Sequence, residues 1–363
     1  MTKTTDSQIV ARFEIEHTRY LDEQGQPCGE LPEVAGNADL LRDAYRTMVL
    51  TRRYDGKALN LQRTGQIGTY GSSLGQEAVG IGFASAMTAR DVLAPTYREF
   101  SAQLWRGVSI TELLLYWGGD ERGSDYSGPR EDFPICVPIA THCCHAVGAA
   151  YAMKLRGEER AVVCVLGDGA SSKGDFYESL NAAGVWHLPV VFIVINNQWA
   201  ISVPRKRQSA AQTLAQKAIA GGIPGEQVDG NDFLAVHDRT AAALSKARAG
   251  GGAHLIEALT YRMGDHTTAD DASRYRDAAE VEAHRADDPI ARLRTFLEGR
   301  GLWDAQAEEA LLKDCDQRID KALEEYLATP PQPVEVLFDY LYAELPEALA
   351  EQRQQLLRES GDG

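Results

Sequence analysis

The chain has 363 residues, of which 44% are hydrophobic, 25% charged and 8% aromatic, a globular composition that excludes disordered, collagenous and coiled-coil classes. Its 53 acidic and 37 basic residues give a net charge of −16, which repels a polyanion and argues against nucleic acid as a partner. The most apolar runs, Ala161 to Leu166 and Val190 to Ile195, are far shorter than the roughly 20 residues that span a bilayer, and no charged-then-apolar leader opens the chain, so a cytoplasmic protein without membrane association is expected.

Residues 1–37 carry Gly25, Pro27, Gly29, Pro32 and Gly36 without sustained periodicity and read as an irregular arm. Leu40, Leu41, Ala44, Met48 and Tyr54 recur at helical spacing and predict a helix over 38–64, ended by Gly65 and Gly68. A turn-rich stretch from Gly68 to Gly75 follows, and the small residues of Gln76 to Ala89 suit a helix packed closely against another. Residues 117–137 are rich in Gly, Asp and Pro, whereas Ala146 to Leu155 has the alanine content of a tightly packed helix.

Ala161 to Leu166 is a short β-branched run, apolar on both faces as a central parallel strand should be. Phe176, Leu180, Ala183 and Val185 place a helix over 174–187, and Val190 to Ile195 is a second buried strand. A helix over 235–248 and a third strand, His254 to Ala258, extend the sheet. Beyond Trp303 the pattern is helical, with Ile319, Leu323 and Tyr326 on one face; Pro330, Pro331 and Pro333 break it. A last amphipathic helix over 334–358, with Leu337, Leu341, Leu345 and Leu349, is expected to pack on its own domain. The fold class is therefore α/β, a doubly wound, mostly parallel sheet with helices on both faces, divided into an arm (1–37), a main domain (38–300) and a helical C-terminal extension (301–363).

The six cysteines, Cys28, Cys136, Cys143, Cys144, Cys164 and Cys315, show no CxxC spacing, so neither a zinc cage nor a disulfide framework is expected. Cys143 and Cys144 share a segment that reads as buried.

Gly167-Asp168-Gly169 directly follows the first buried strand, and Asn196-Asn197 ends the second. In a right-handed strand-helix-strand unit both carboxyl ends meet on one sheet edge, about 5 Å apart if the strands are neighbours. Asp168 and Asn197 then face one crevice, and a carboxylate with an amide oxygen suits a Mg²⁺ shared with a phosphorylated ligand. Gly167 and Gly169 allow close backbone approach, and the helix starting near Lys173 aims its amino end at the same place, where phosphate is favoured. A Walker loop fits less well, because Asp175 and Phe176 stand where Lys and Ser or Thr are needed, and so does the dinucleotide fingerprint, which lacks its third glycine.

The pairing of Gly167-Asp168-Gly169 with Asn196-Asn197 resembles the thiamin diphosphate motif, and the run from Gly167 to Ser202 resembles the alpha subunit of the two-chain 2-oxo acid dehydrogenase E1 component. Gly75-Gln76-Glu77-Ala78, Tyr97-Arg98, Val228 to Asp232, Tyr261-Arg262, His266-Thr267-Thr268 and Tyr275-Arg276 extend the likeness over about 38 to 345. The resemblance implies the thiamin diphosphate-binding fold, with Asp168, Asn197 and the carbonyl of Trp199 as ligands of Mg²⁺. It implies that Tyr97, Arg98 and Arg262 grip the diphosphate, that Gly169 and Ala170 offer backbone amides, and that Val137 and Ile139 contact the aminopyrimidine. His266 is implied beside the thiazolium ring, where it assists acyl transfer to a lipoyl arm.

The segment Pro138 to Thr141 resembles the potassium-binding turn of branched-chain relatives, but His142 replaces an expected glutamine there. Thr69 stands where relatives place a phenylalanine near the substrate, and Thr267 where animal relatives carry a phosphorylatable serine. The resemblance further implies an alpha2-beta2 assembly whose beta subunit supplies the activating glutamate, and a lipoyl-bearing acyltransferase as partner. The substrate that the resemblance implies is a 2-oxo acid. Ala215 to Gly225 looks like pyruvate dehydrogenases, whereas Ala146 to Ala152 and the tail Leu337 to Arg353 look like branched-chain enzymes; pyruvate is the main reading and the branched-chain acid the alternative. A noncatalytic scaffold subunit and a phosphate-binding NTPase are the remaining rivals.

Overall fold

The computed structural model describes residues 7–339 and 341–361. The chain begins with strand β1 (His17–Thr18), helices α1 (Ala38–Arg63) and α2 (Glu77–Ala86), β2 (Val92–Ala94), α3 (Phe100–Arg106), α4 (Ile110–Trp117) and α5 (Thr141–Leu155). It continues with β3 (Val162–Gly167), α6 (Gly174–Val185), β4 (Val190–Asn196), a small hairpin of β5 (Trp199–Ala200) and β6 (Val203–Pro204), the short α7 (Arg205–Gln208) and α8 (Lys217–Ala220), then β7 (Gly225–Asp229), α9 (Phe233–Arg248) and β8 (His254–Leu259). Helices α10 (Ala278–Ala283), α11 (Pro289–Gly299), α12 (Ala305–Ala328), α13 (Val336–Asp339) and α14 (Glu347–Gly361) close it.

Six strands form one wholly parallel sheet in the order β1-β7-β8-β4-β3-β2. The run of β-branched residues in β3 and β4 makes sense in this central place, because successive side chains enter opposite cores. Val162, Cys164, Leu166, Val190, Phe192 and Val194 meet α5 and α6 on one face. Val163, Val165, Val191, Ile193 and Ile195 meet α2 and α9 on the other. Small residues let α2 approach closely: a Cβ on Gly80 would lie 1.9 Å from Ser101 Oγ, and one on Gly82 2.6 Å from Val236 Cβ. A third apolar cluster joins α1, α11 and α12, where Leu311, Cys315 and Ile319 pack against α1 and Tyr45 meets Trp303 edge-on at 5.0 Å.

Five expectations change. The arm is not wholly irregular, since His17 and Thr18 pair in parallel with Gln227 and Val228 at the sheet edge. Two further strands, β2 and β7, complete the sheet; β2 has three residues and β7 carries Glu226, Gln227 and Asp229, so neither shows an apolar run. The tail is two helices, because Pro346 interrupts the leucine pattern and α14 starts just after it; Tyr340, within the expected single helix, lies outside the described residues. None of residues 347–360 is buried, and Leu337 and Leu341 are 65% and 63% exposed, so the tail does not pack into the domain core. Finally, Cys143 is buried but Cys144 is exposed, one position further round α5.

Candidate active site

Gly167 of β3 pairs with Ile195 of β4, so Asp168 and Asn197 emerge side by side at the carboxyl edge of two neighbouring strands. Both line a cleft of about 260 Å³ together with Gly169, Ala170, Trp199, Tyr97, Arg98, Ile139 and His266. The structure thus brings together nine of the eleven residues singled out in the sequence. Val137 and Arg262 are not among the lining residues. Val137 is exposed, and Arg262 is buried beneath the β5–β6 hairpin.

The cleft is built from strained backbone. Among the described residues four non-glycine residues have positive φ, and three of them flank this site: Ala140 (62°), Gln198 (71°) and Ile201 (55°). Such conformations cost on the order of 1–3 kcal/mol each and persist where surrounding contacts impose them. Gln198 turns the chain out of β4 and Ile201 turns it back into β6, which folds Trp199 over the strand ends. Gly169 is required here, since a Cβ would sit 2.6 Å from Ala200 Cβ on that hairpin. A 3₁₀ turn over Gly169–Ser172 follows Asp168, and α6 begins only at Gly174.

Asp168 is 3% exposed and makes no ion pair among the described residues. Burial pushes its carboxyl above the usual range, and its side-chain partner is the neutral amide of Gln208, which donates from Nε2 to Oδ2 at 2.7 Å. Asn197 Nδ2 makes a long 3.4 Å contact to Gln76 Oε1, while its own Oδ1 accepts from the Trp199 amide at 3.2 Å. Gln208 Oε1 and Gln76 Nε2 are buried without partners. A desolvated carboxylate, an amide oxygen and a carbonyl, ringed by unsatisfied neutral amides, is a donor set short of one hard cation.

The other wall is basic. Arg98 donates from Nη1 to the Ser72 carbonyl at 2.5 Å and from Nη2 to the Nδ1 and main-chain oxygen of His266, at 2.9 and 2.6 Å. Its guanidinium also lies 5.0 Å from the Tyr97 ring centre. Burial, then Arg98 and Arg262, push the His266 imidazole down to about 4, so it is neutral at neutral pH. With Nδ1 accepting from a guanidinium, the ring proton is assigned to Nε2. Asp270 accepts from the His266 amide at 2.9 Å and fixes the loop. Arg262 donates to the carbonyls of Trp199 and Ile201 at 3.1 and 2.8 Å and to Tyr275 Oη at 3.0 Å, leaving Nε buried without a partner. It sets the hairpin that carries the Trp199 carbonyl.

Several supporting residues carried no sequence signal of their own. Asp55 of α1 accepts from Tyr70, Ser72 and Ser73 and so holds the segment on which Arg98 rests. Glu280 accepts from Trp199 Nε1 and Tyr261 Oη at 3.3 and 2.9 Å. Glu257 of β8 accepts from Asn196 Nδ2 at 2.6 Å and from the amides of Leu214 and Ala215. Gln76, in the segment Gly75 to Ala78, has no role implied by the resemblance, yet it lines the cleft beside Asn197. Thr69 is exposed and lies outside the cleft lining. His142 turns into the sheet, where Nε2 meets the Val165 carbonyl at 2.6 Å.

Residues 45–335 match the family model described as the dehydrogenase E1 component. The chain is 41% identical over 359 residues to the 3-methyl-2-oxobutanoate dehydrogenase subunit alpha of Mycobacterium tuberculosis (strain H37Rv), covering 97% of this chain and 96% of that one. It is 39% identical over 345 residues to the pyruvate dehydrogenase E1 component subunit alpha of Staphylococcus aureus (strain N315), covering 94% and 92%. No helix among the described residues is long and apolar enough to cross a membrane. With a match over most of its length and a site built on the expected strand ends, the chain belongs to the dehydrogenase E1 component family, as an alpha subunit of the thiamin diphosphate-dependent 2-oxo acid dehydrogenases.

Proposed function

We propose that this alpha subunit supplies the diphosphate-and-metal half of a site for oxidative decarboxylation of a 2-oxo acid, with the acyl group passed to a lipoyl arm. The observation that carries this is the shared cleft of Asp168, Asn197 and Trp199 with Arg98 and His266. Asp168, Asn197 and the Trp199 carbonyl would hold Mg²⁺; its double charge offsets the desolvation that raises the Asp168 carboxyl. Tyr97, Arg98 and the amides of Gly169 and Ala170 would meet the diphosphate, with Arg262 bracing the hairpin from beneath. Ile139 offers an apolar wall to the aminopyrimidine, and Val137 lies further out. When bound, thiamin diphosphate supplies the electron sink for decarboxylation.

His266 works here as a neutral imidazole that carries its proton on Nε2, because Arg98 occupies Nδ1. Glu77 is the carboxylate named in the resembling segment, but it is fully buried against Arg52 at 2.7 Å. The activating carboxylate is therefore assigned to a beta subunit, and the lipoyl-bearing acyltransferase is the downstream partner. His142, standing in place of a glutamine, points into the sheet and away from a potassium-binding role at the Pro138–Thr141 turn.

Among 2-oxo acids, pyruvate is the main reading and 3-methyl-2-oxobutanoate the alternative, and each is named as the substrate of a relative of similar identity. The test is reconstitution with the beta subunit. Activity should require both chains, and kcat/KM for the two acids should rank them; ordinary turnover by this chain alone would overturn the shared-site reading.

A further inference from the structure

Behind the cleft, on the face of the sheet covered by α5, three ligating side chains from separate elements converge. His142 and Cys143 stand in the first turn of α5 and Cys164 in the middle of β3. Their ligand atoms all lie within 4.8 Å of one another, and among the described residues no other such group of His, Cys, Asp or Glu exists. All three are buried, with exposures of 2%, 0% and 0%. The two sulfurs are 3.8 Å apart.

We propose that His142, Cys143 and Cys164 form a site for a thiophilic d¹⁰ cation, Zn²⁺, that ties α5 to β3 through three protein ligands. Four observations carry it. The first is composition: two thiols and an imidazole are the ligand types that select zinc over magnesium or calcium. The second is spacing, since two Zn–S bonds of about 2.3 Å at a tetrahedral angle place their sulfurs about 3.8 Å apart, which is the separation found without any rearrangement. The third is the histidine. Its Nε2 faces the Val165 carbonyl at 2.6 Å and acts as donor there, whereas Nδ1 is buried with no partner. A ring nitrogen bonded to a main-chain carbonyl, with the other left as a bare lone pair, is the arrangement of a metal-ligating histidine and its outer-sphere partner. Without an ion to bind, that buried nitrogen is left unsatisfied.

The fourth observation is charge balance. Each thiol loses its proton as its sulfur binds, so two protons leave, and two thiolates with a neutral imidazole cancel the charge of one divalent ion. The neutral product suits a core lined by Ala146, Leu166 and Phe176; a monovalent ion would leave a net negative charge there. Three side chains leave one coordination position for a water. No oxidation or reduction is involved.

The position gives the ion a consequence. Ala140, at φ 62°, and Ile139 precede His142 and line the cofactor cleft, while Cys164 lies four residues before Asp168 on the same strand. An ion at this point pins the two walls of the cleft from behind. It is independent of the proposed substrate, and failure of either reading leaves the other testable.

The experiment uses the full chain, purified without a histidine tag, stripped with a chelator and titrated with Zn²⁺ and, for its spectrum, Co²⁺. The expected result is about one ion per chain, an intense thiolate-to-cobalt charge-transfer band, and release of two protons per ion. His142→Gln, Cys143→Ala and Cys164→Ala should each weaken Zn²⁺ binding by more than about 100-fold, beyond what loss of an outer-sphere partner does. Circular dichroism reports which variants fold, and His142→Gln, which keeps a polar side chain, serves if a cysteine variant does not. Absence of the charge-transfer band in the folded parent chain, or an undiminished band in folded His142→Gln, would overturn the proposal.

Discussion

Arg98 contacts His266 twice through a single nitrogen, Nη2, which reaches both the imidazole Nδ1 and the main-chain oxygen of the same residue. The contact fixes the ring and, together with burial, holds its pKa near 4. His266 in ¹⁵N-histidine-labelled protein should therefore titrate with a midpoint of about 4. In Arg98→Met the midpoint should rise but stay below the ordinary value of about 6.5, because burial, the larger cause, remains. The sign for stability follows. The folded pKa lies below the unfolded one, so the contribution is whole above about 6.5 and is lost as pH falls toward the folded value. An unshifted midpoint near 6.5 in the parent chain would contradict this.

Asp168 works in the opposite sense. Its folded pKa is raised by burial, so its contribution to stability is present at low pH and is lost as pH rises through that pKa. Without a divalent cation, Asp168→Asn should stabilise the chain at neutral pH by roughly 1–3 kcal/mol in urea unfolding, because it removes a buried, unpaired charge while an amide keeps the contact to Gln208. Destabilisation by that substitution would show that the carboxylate is already compensated.

Asp232 joins the arm to the sheet. Its Oδ2 accepts from the amides of Tyr20 and Leu21 at 2.6 and 2.9 Å, and its Oδ1 caps α9 through the Leu234 amide at 3.0 Å. Asp232→Ala removes an N-cap, worth about 0.5–2 kcal/mol, and strips two further amides at about 1–3 kcal/mol apiece. A loss of roughly 3–8 kcal/mol is expected, with hydrogen-exchange protection vanishing over residues 17–21 while α12 keeps its own. Retained protection at Tyr20 and Leu21 would show that the pairing of His17 and Thr18 suffices to anchor the arm.

The pair Asp168 and Asn197 was legible in the sequence because each directly follows a run apolar enough to be a central strand, and parallel neighbours must end on one edge. Tyr97, Arg98, Ile139 and His266 reach this edge from elsewhere and were placed there only by the resemblance; what the sequence could not show was the polar residues that brace it. Gln208 reaches Asp168 only because Gln198 and Ile201 adopt positive φ and fold the hairpin back. Glu280 arrives from beyond the last strand. Strand β7 was invisible since its polar residues serve as partners, Glu226 to Arg239 and His254, not as core. The cluster of Cys143, Cys164 and His142 escaped for a similar reason: CxxC spacing reports ligands on one turn, whereas these meet across a helix and a strand. The single tail helix breaks at Pro346, whose effect a leucine spacing does not register.

Asp168, Asn197 and the Trp199 carbonyl are proposed to bind a divalent cation that holds the cofactor's diphosphate. Titration calorimetry of the reconstituted alpha–beta assembly with thiamin diphosphate, with Mg²⁺ and then with chelator, measures this. Saturable binding is expected with Mg²⁺ and should disappear with chelator and in Asp168→Asn; the same heat and affinity in all three conditions would show that no metal bridges the diphosphate to Asp168.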